Sequence, residues 1–521
     1  MTSIAALVCL AVYTLSLGYS TMYCLTQLNL ARHYLRFDRQ RRRVLAEAHT
    51  ANREAATGNA VAAASSQRLE PFPPGRDCPR VTIQLPVYNE KYVVEQLIDC
   101  VARMEYPRDR LEIQILDDST DETSALVDAR VSFHAARGCD IRVIRRDARS
   151  GFKAGALRDA LPLAKGEFIA IFDADFLPHP DFLQQTMAHF DDPGVGVVQG
   201  RWQFLNEQSS LLTRLQAIQL NVHFTVEQVG RMHAGHFLQF NGTAGVWRRA
   251  AIDAAGGWEA DTLTEDLDLS IRAQLQGYRI RYLEEVPVPS ELPADMNALK
   301  AQQFRWMKGG AECARKLLPR VWSSPLGLRA RVNTTVHLLS STVFLFVLTM
   351  AVSSVPLLFH MDFIESRLGF SRHYFSVFMS GLAALALVYY VGNVRSLARH
   401  QPEAATTLWL IAIFPLFLSM SIGLSLHNSI AVIEGWAGKR SPFVRTPKFN
   451  VVRGHQAVSG SPYRIRSAGW RTGLELLLAL YFAGAVLWAL ASGNTVFLVF
   501  HAMMMLGFAS VGGYSWWHSR P

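Results

Sequence analysis

The sequence predicts an α/β protein in two parts: a doubly wound, mostly parallel sheet domain and an α-helical transmembrane region. Three observations predict it. From Val81 onward, short apolar strands alternate with amphipathic helices, the pattern of parallel β-α-β units. Each of these strands runs into a polar cluster at its carboxyl end, where open parallel sheets gather ligands. Apolar runs long enough to cross a bilayer lie on both sides of this region.

Composition sets the outer limits. Of the 521 residues 50% are hydrophobic and only 18% charged, and the mean hydropathy is slightly positive. That is too apolar for an ordinary soluble enzyme, yet it leaves room for one polar domain. The net charge of +9 does not point to nucleic acid. The basic residues sit mainly beside apolar runs, as the positive-inside rule places them, and no basic and aromatic platform appears. Cys9, Cys24, Cys78, Cys100, Cys139 and Cys313 form no CxxC pair, so neither a zinc site nor a disulfide framework is implied. Reducing cytoplasm plus membrane is the setting this suggests.

Residues 4–30 are apolar and are followed by Arg32, Arg36, Arg39 and Arg41 to Arg43. A cleavable signal carries its charges before the apolar core, so this reads as an uncleaved anchor (1–33) with its arginines in the cytoplasm. Residues 34–79 read as a cytoplasmic linker, in which Ala46 to Arg76 is a loose helix or a flexible connection. The sheet domain takes 80–325. VTIQLPVYNE is a buried strand expected to break at Pro86, with Asn89 capping a helix that carries Val93, Leu97 and Val101. LEIQILDDSTDET is a second strand, with a helix starting near Thr120. IRVIRR with GFKAGALRDAL is a third unit, and EFIAIFDADF holds a fourth strand.

Residues 326–521 read as transmembrane and interfacial helices. Runs at about 334–359, 374–394, 472–491 and 494–514 are long enough to span. Between Gly435 and Leu474 there are eight Lys or Arg residues and no acid, which places the loop 435–471 in the cytoplasm. A single crossing at 408–432 would put that loop outside. This segment, broken by Pro415 and polar at His427-Asn428-Ser429, therefore reads as re-entrant or interfacial. One span before the sheet domain and four after it result.

The chemistry concentrates in two stretches. DTLTEDLDLS, Asp261 to Ser270, carries four carboxylates beside the turn Gly256-Gly257, and QQFRW, Gln302 to Trp306, follows. Acidic residues in a first helical turn are favoured by the macrodipole alone. Followed by an arginine beside an indole, they match what sugar transfer from a nucleotide donor needs. A base deprotonates the acceptor hydroxyl, the arginine neutralises a departing diphosphate, and the indole stacks on a sugar ring. Asp266 is the candidate base. Asp173 and Asp175, one residue apart after a buried strand, can share Mg²⁺ or Mn²⁺ with a diphosphate. Asp118 is placed to bond a nucleoside, and Lys153 reads equally as a phosphate contact or a helix-start lysine. Trp202, Phe240 and Trp247 suit sugar stacking or a core, and Asn241 and Thr243 suit sugar hydroxyls. Neither GxxxxGK[ST], GxGxxG nor GxSxG occurs, so P-loop, dinucleotide and serine hydrolase chemistries lack their equipment.

DDS, DAD, TED and QxxRW in this order, with flanking spans, resemble the processive family 2 glycosyltransferases. The likeness is closer to the cellulose synthase-like A and C proteins, which make β-mannan or glucomannan and the glucan backbone of xyloglucan. It rests on LPVYNE, ILDDSTDET, GFKAGAL, VQGRWQFLN, FNGTAGVWR, QQFRW and PFVRTPK, and it covers about Val81 to Lys448. The resemblance implies a GT-A-like sheet domain and an inverting hexosyltransferase. Its donor would be UDP-glucose or GDP-mannose, and its product a β-linked glycan, 1,4-linked, extended through the protein's own spans. By the same resemblance Asp118 contacts the nucleotide, Asp173 and Asp175 hold metal and diphosphate, and Asp266 is the base. Gln302, Arg305 and Trp306 hold the acceptor terminus and the diphosphate, with Glu265, Trp202, Phe240 and Asn241 on the acceptor side. PFVRTPK resembles a gating loop in which Thr446 and Lys448 reach over the nucleotide; Arg445 replaces that loop's valine. No room is seen for a cyclic-dinucleotide-sensing domain, so activation by that messenger is not expected. The expected setting is the inner or plasma membrane, with the sheet domain cytoplasmic, and an export partner stays unassigned. Two rival readings remain: a non-processive transferase acting on diacylglycerol or a ceramide, and a non-catalytic scaffold or transporter.

Overall fold

A computed structural model describes residues 2–57, 78–369, 374, 378–396, 402–441, 443–450, 463, 465 and 469–520. Residues 58–77 of the expected linker and most of the basic loop between 451 and 468 lie outside the described residues.

Seven strands form one sheet: β1 (Val81–Val87), β2 (Leu111–Asp117), β3 (Asp140–Ile144), β4 (Phe168–Ile171), β5 (Val195–Phe204), β6 (Gly245–Arg248) and β7 (Arg279–Ser290). Their order is β3-β2-β1-β4-β6-β5-β7. β6 alone runs antiparallel, against β4 and β5, and the remaining pairs are parallel. Both faces are covered, which is why the strands read as continuous apolar runs. On β4, Phe168 and Ala170 join one core cluster while Ile169 and Ile171 join the other. The order of winding reverses at β1, so β1 and β4 flank a switch point whose carboxyl ends face a crevice.

Local expectations differ from the structure in three places. β1 continues through Pro86 to Val87, because the strand keeps its register there, Pro86 opposite Leu116. Asn89 caps no helix; the helix begins at Val94. Asn89 sits at φ 56°, and its Oδ1 accepts from the Thr120 N–H at 2.8 Å, joining the loops after β1 and β2. The helix expected near Thr120 spans Thr123–Ala135.

The N-terminal helix runs Thr2–Thr57, through the expected anchor and into the expected linker. Its Leu30, Ala31 and Tyr34 enter the same core cluster as Ile169, Ile171 and Trp247. Among the described residues, five stretches suffice by length and composition to cross a membrane: Ile4–Val44, Ser340–Phe359, Glu403–Trp436, Trp470–Ser492 and Leu498–Ser519. The helix Phe378–Val394 is shorter, yet contacts locate both ends of its segment. The Tyr374 hydroxyl donates to Thr14 Oγ1 at 2.9 Å, and Tyr34 donates to the Arg395 carbonyl at 3.3 Å. The segment thus tracks the N-terminal helix for about twenty residues, roughly 30 Å at 1.5 Å per residue, the thickness of a bilayer core. Glu403–Trp436 divides into helices Glu403–Gly423 and Ser425–Trp436. Its first end is tied by Glu403 to Arg395 at 3.1 Å. Its second lies against Lys308, whose carbonyl oxygen a Cβ on Gly435 would meet at 2.6 Å. Between them, Gly423 touches Gly507, far from either end of the last helix.

That contact is backbone on backbone: a Cβ on Gly423 would meet the Gly507 carbonyl oxygen at 2.3 Å, and one on Gly507 would meet that of Ser419 at 2.1 Å. Small residues permit this approach between apolar helices. Gly423→Val should therefore cost about 1–3 kcal/mol through overpacking, read as a lower thermal midpoint of the extracted protein. Gly513→Val, where nothing lies within 4 Å, should leave the midpoint near wild type; equal midpoints for the two variants would contradict the packing.

Candidate active site

A polar cavity of about 210 Å³ opens at the carboxyl ends of β1, β2 and β4. The loop after β2 contributes Asp118, and the turn after β4 contributes Asp173 and Asp175. The helix Phe152–Ala160 brings Lys153. Glu265 and Asp266 open the helix Glu265–Leu275. Gln302, Arg305 and Trp306 come from the helix Met296–Ser323, and Thr446 and Lys448 from the segment 443–448. Trp202 and Asn241 complete the wall. Residues from eight separate stretches thus meet around one space.

The cavity is a balance of half-buried charges around the buried Asp175. Lys153 Nζ lies 2.5 Å from Asp173 Oδ1 and donates to the Gly242 carbonyl at 2.8 Å. Burial alone would lower the lysine's pKa, but Asp173 and Glu265 outweigh it and leave it raised. Asp175 Oδ2 accepts from Lys448 Nζ at 2.7 Å and from the Glu291 N–H at 3.0 Å. Arg305 donates to Thr446 Oγ1 at 2.8 Å and to the Val444 carbonyl. Burial lowers this guanidinium to about 10, so it stays charged at neutral pH. Burial and the adjacent Glu265 push Asp266 up to about 7; burial also raises Glu265. A carboxylate poised near neutrality suits a proton acceptor. Asp118 accepts from Nη2 and Nε of Arg146, at 2.5 and 3.0 Å.

Of the four carboxylates in DTLTEDLDLS, two are structural. Asp268 pairs with Arg272 at 2.6 Å. Glu259, Asp261 and Asp268 cluster closely enough to suggest a metal, but Lys316 Nζ stands among them at 2.6, 2.7 and 3.0 Å. Asp173 and Asp175 fit a divalent ion better. The described hydrogen bonds leave Oδ2 of Asp173 and Oδ1 of Asp175 unengaged, and hard carboxylate oxygens suit Mg²⁺ or Mn²⁺.

Phe240 is a correction. It is fully buried and packs edge-on against Trp247, with ring centroids 5.5 Å apart, so neither ring can stack on a sugar. Thr243 also faces inward, and its Oγ1 accepts the Asp173 N–H at 2.8 Å. Sequence reasoning passed over Glu90, Arg149, Gly242 and Glu291, and gave Arg445 no site, though Glu90, Gly242 and Arg445 lay inside stretches already singled out. Arg445 pairs with Glu90 at 2.7 Å. Arg149 lies over the Tyr88 ring at 3.3 Å.

Comparison with known proteins places this geometry. Residues 79–309 match the model described as "Glycosyltransferase like family 2". "Probable glucomannan 4-beta-mannosyltransferase 1" of Arabidopsis thaliana is 33% identical over 445 residues, 83% of this chain and 78% of the relative. The chain belongs to glycosyltransferase family 2. A second Arabidopsis thaliana relative, "Glucomannan 4-beta-mannosyltransferase 7", is 43% identical over 248 residues, 47% of this chain. There the match spans only 45% of the relative's length. A mannosyltransferase from Pyrobaculum calidifontis, solved with GDP-Man and Mn²⁺, shares the GT-A fold at TM-score 0.51 and 19% identity, covering 84% of this chain and all of that one. In this family 2 glycosyltransferase the family match ends at 309, so Arg445, Thr446 and Lys448 reach the cavity from outside it.

Gly242 tests the cavity's tolerance. Its φ is +79°, and a Cβ there would lie 3.0 Å from Asp266 Oδ2. Gly257 shares the φ of +79° with nothing within 4 Å. Alanine at either site should cost about 1–2 kcal/mol of backbone strain. Only Gly242→Ala should also lower nucleotide release from a nucleotide sugar, by about tenfold or more. Equal release by the two variants would remove Gly242 from the site.

Proposed function

We propose that the protein is a membrane-embedded, inverting hexosyltransferase that adds sugars from a nucleotide donor to a growing β-linked glycan, 1,4-linked. One observation carries the reading. Asp266 and Trp306 line both the polar cavity and a larger cavity of about 380 Å³ that continues between the apolar helices. A glycan whose terminus meets the base at one cavity has the other to occupy as it lengthens. The relatives' names favour mannose from GDP-mannose over glucose from UDP-glucose.

In this reading Asp266 removes the proton of the acceptor hydroxyl, which attacks the anomeric carbon in line as the nucleoside diphosphate leaves on the opposite face. One base and no covalent intermediate give inversion. Glu265 lies beside it, and Gln302 and Trp306 hold the acceptor terminus. Arg305, Lys153 and Lys448 answer charge on the leaving diphosphate, and Thr446 closes over it with Arg305. Asp118 orients the nucleoside. Asp173 and Asp175 would hold a divalent ion, which when bound supplies further neutralisation of the diphosphate. The arginines after the first apolar run put the sheet domain in the cytoplasm. With Glu403–Trp436 entering and returning on one side, the span count is one before this domain and four after it.

The apolar far wall of the larger cavity, with Phe344, Val347 and Leu385, is the feature a lipid acceptor would use. Purified protein incubated with GDP-mannose or UDP-glucose and Mg²⁺ or Mn²⁺ distinguishes the two by product size. Linkage-specific glycosidases then identify the bond. Polymer degraded by a β-1,4-mannanase is the expected result; a single-sugar lipid conjugate would replace the reading.

Asp266→Asn keeps the shape but cannot take a proton, so turnover should fall at least ~100-fold with donor binding retained. Because the base works ionised and its pKa stands near 7, wild-type turnover should fall roughly tenfold per unit as pH drops below about 7. A flat profile between pH 5 and 8 would contradict this. Excess chelator should abolish turnover reversibly, as should Asp173→Ala; full activity under chelation would show that the paired aspartates hold no ion.

A further inference from the structure

The larger cavity passes a buried polar network that the mechanism above leaves unused. Where it leaves Asp266, one wall is a π-helical turn, His223–Val229. Such wide turns are rare and frequent at functional sites. His223 Nδ1 lies 2.8 Å from Glu227 Oε2, and its Nε2 lies 2.9 Å from Asn241 Oδ1. Gln27 of the N-terminal helix donates to Glu227 Oε1 at 2.6 Å, and Gln239 Nε2 donates to Asn241 Oδ1 at 3.2 Å.

Asn241 Oδ1 thus faces both His223 Nε2 and Gln239 Nε2, and its Nδ2 is left over. Asn241 is 8% exposed and Gln27 3%. Asn241 Nδ2, Gln27 Oε1 and Trp202 Nε1 are buried without a partner among the described residues, and all three residues line this one cavity. Buried polar atoms are rarely left unsatisfied. Donors and acceptors gathered at the mouth of an otherwise apolar passage fit a guest rich in hydroxyls.

We propose that His223, Glu227 and Gln27 build a second glycan subsite beyond Trp306, in which the Asn241 amide is held to donate to an oxygen of the sugar behind the acceptor terminus. It rests on the reading of the protein as a polymerising transferase. His223 and Glu227 are positioning residues that act through Asn241. Gln27 both anchors Glu227 and offers its own carbonyl oxygen to a sugar hydroxyl. The N-terminal helix thereby helps to grip the product. Such a grip holds the glycan between transfers, so its loss shortens chains more than it slows each transfer.

The test uses the full-length protein in lipid nanodiscs fed GDP-mannose, with UDP-glucose in parallel, and measures nucleotide released and product chains formed. Their ratio is the number of transfers per chain. It should fall at least threefold in Glu227→Ala and in Gln27→Ala, whatever the change in turnover. Glu227→Gln, which keeps an oxygen for His223, should recover more than half of that loss. If Glu227→Ala cannot be extracted folded, Gln27→Ala decides alone. A ratio that falls less than threefold overturns the subsite, as does slower nucleotide release at unchanged chain length, the signature of a merely structural network. If wild type makes only a single-sugar conjugate, the polymer reading itself has failed, and the wild-type sample alone shows it.

Discussion

Carboxylates crowded around one cavity, partly shielded from water, are the constraint on which this structure depends. Asp173, Asp175, Glu265 and Asp266 surround one small space, and an unpaired buried charge is costly. The chain answers them with cations from distant places: Lys153 on the helix after β3, Arg305 on the helix that follows β7, and Lys448 from the segment after Glu403–Trp436. The Lys448 to Asp175 pair, 2.7 Å long, joins residues 273 positions apart. The segment 443–448 is thus held over the cavity by the charges it neutralises. In the proposed reaction an incoming diphosphate, itself anionic, competes for the same cations, which couples donor entry to the position of that segment.

The same economy joins the catalytic and apolar parts. Leu30, Ala31 and Tyr34 of the first helix and Val388 and Val391 of a later one pack in a single cluster with the inner face of the sheet. Asp266 sits where the polar cavity meets the larger one. The proposed site of transfer and the passage beyond it share Asp266 and Trp306 as walls. Strained backbone gathers here too: Asn89, Phe152 and Ala244 have positive φ without being glycine, each within two residues of a cavity wall. Strain of this kind persists where surrounding contacts over-determine it.

The alternation of apolar strands and helices and the polar ends of the strands were legible in the sequence, because each depends on periodicity within a few residues; the switch point at β1 depends on strand order, which pairing in the folded sheet decides. So were Asp173, Asp266 and Arg305 as members of one candidate site, since their motifs follow strand ends and helix starts. Phe240 and Asn241 were not separable: neighbours in an extended segment face opposite sides, and only the packing of Trp247 shows which one is buried. The wall formed by His223 and Glu227 was invisible for a different reason. Its partner Gln27 is 200 residues away, and a π-helical turn has no distinct hydrophobic period. What the sequence determined by itself was therefore the order of elements and the residue types at their ends. Which charges pair, which aromatic rings are core, and which amide faces the cavity were decided only by tertiary packing, because those outcomes depend on who fills the space opposite.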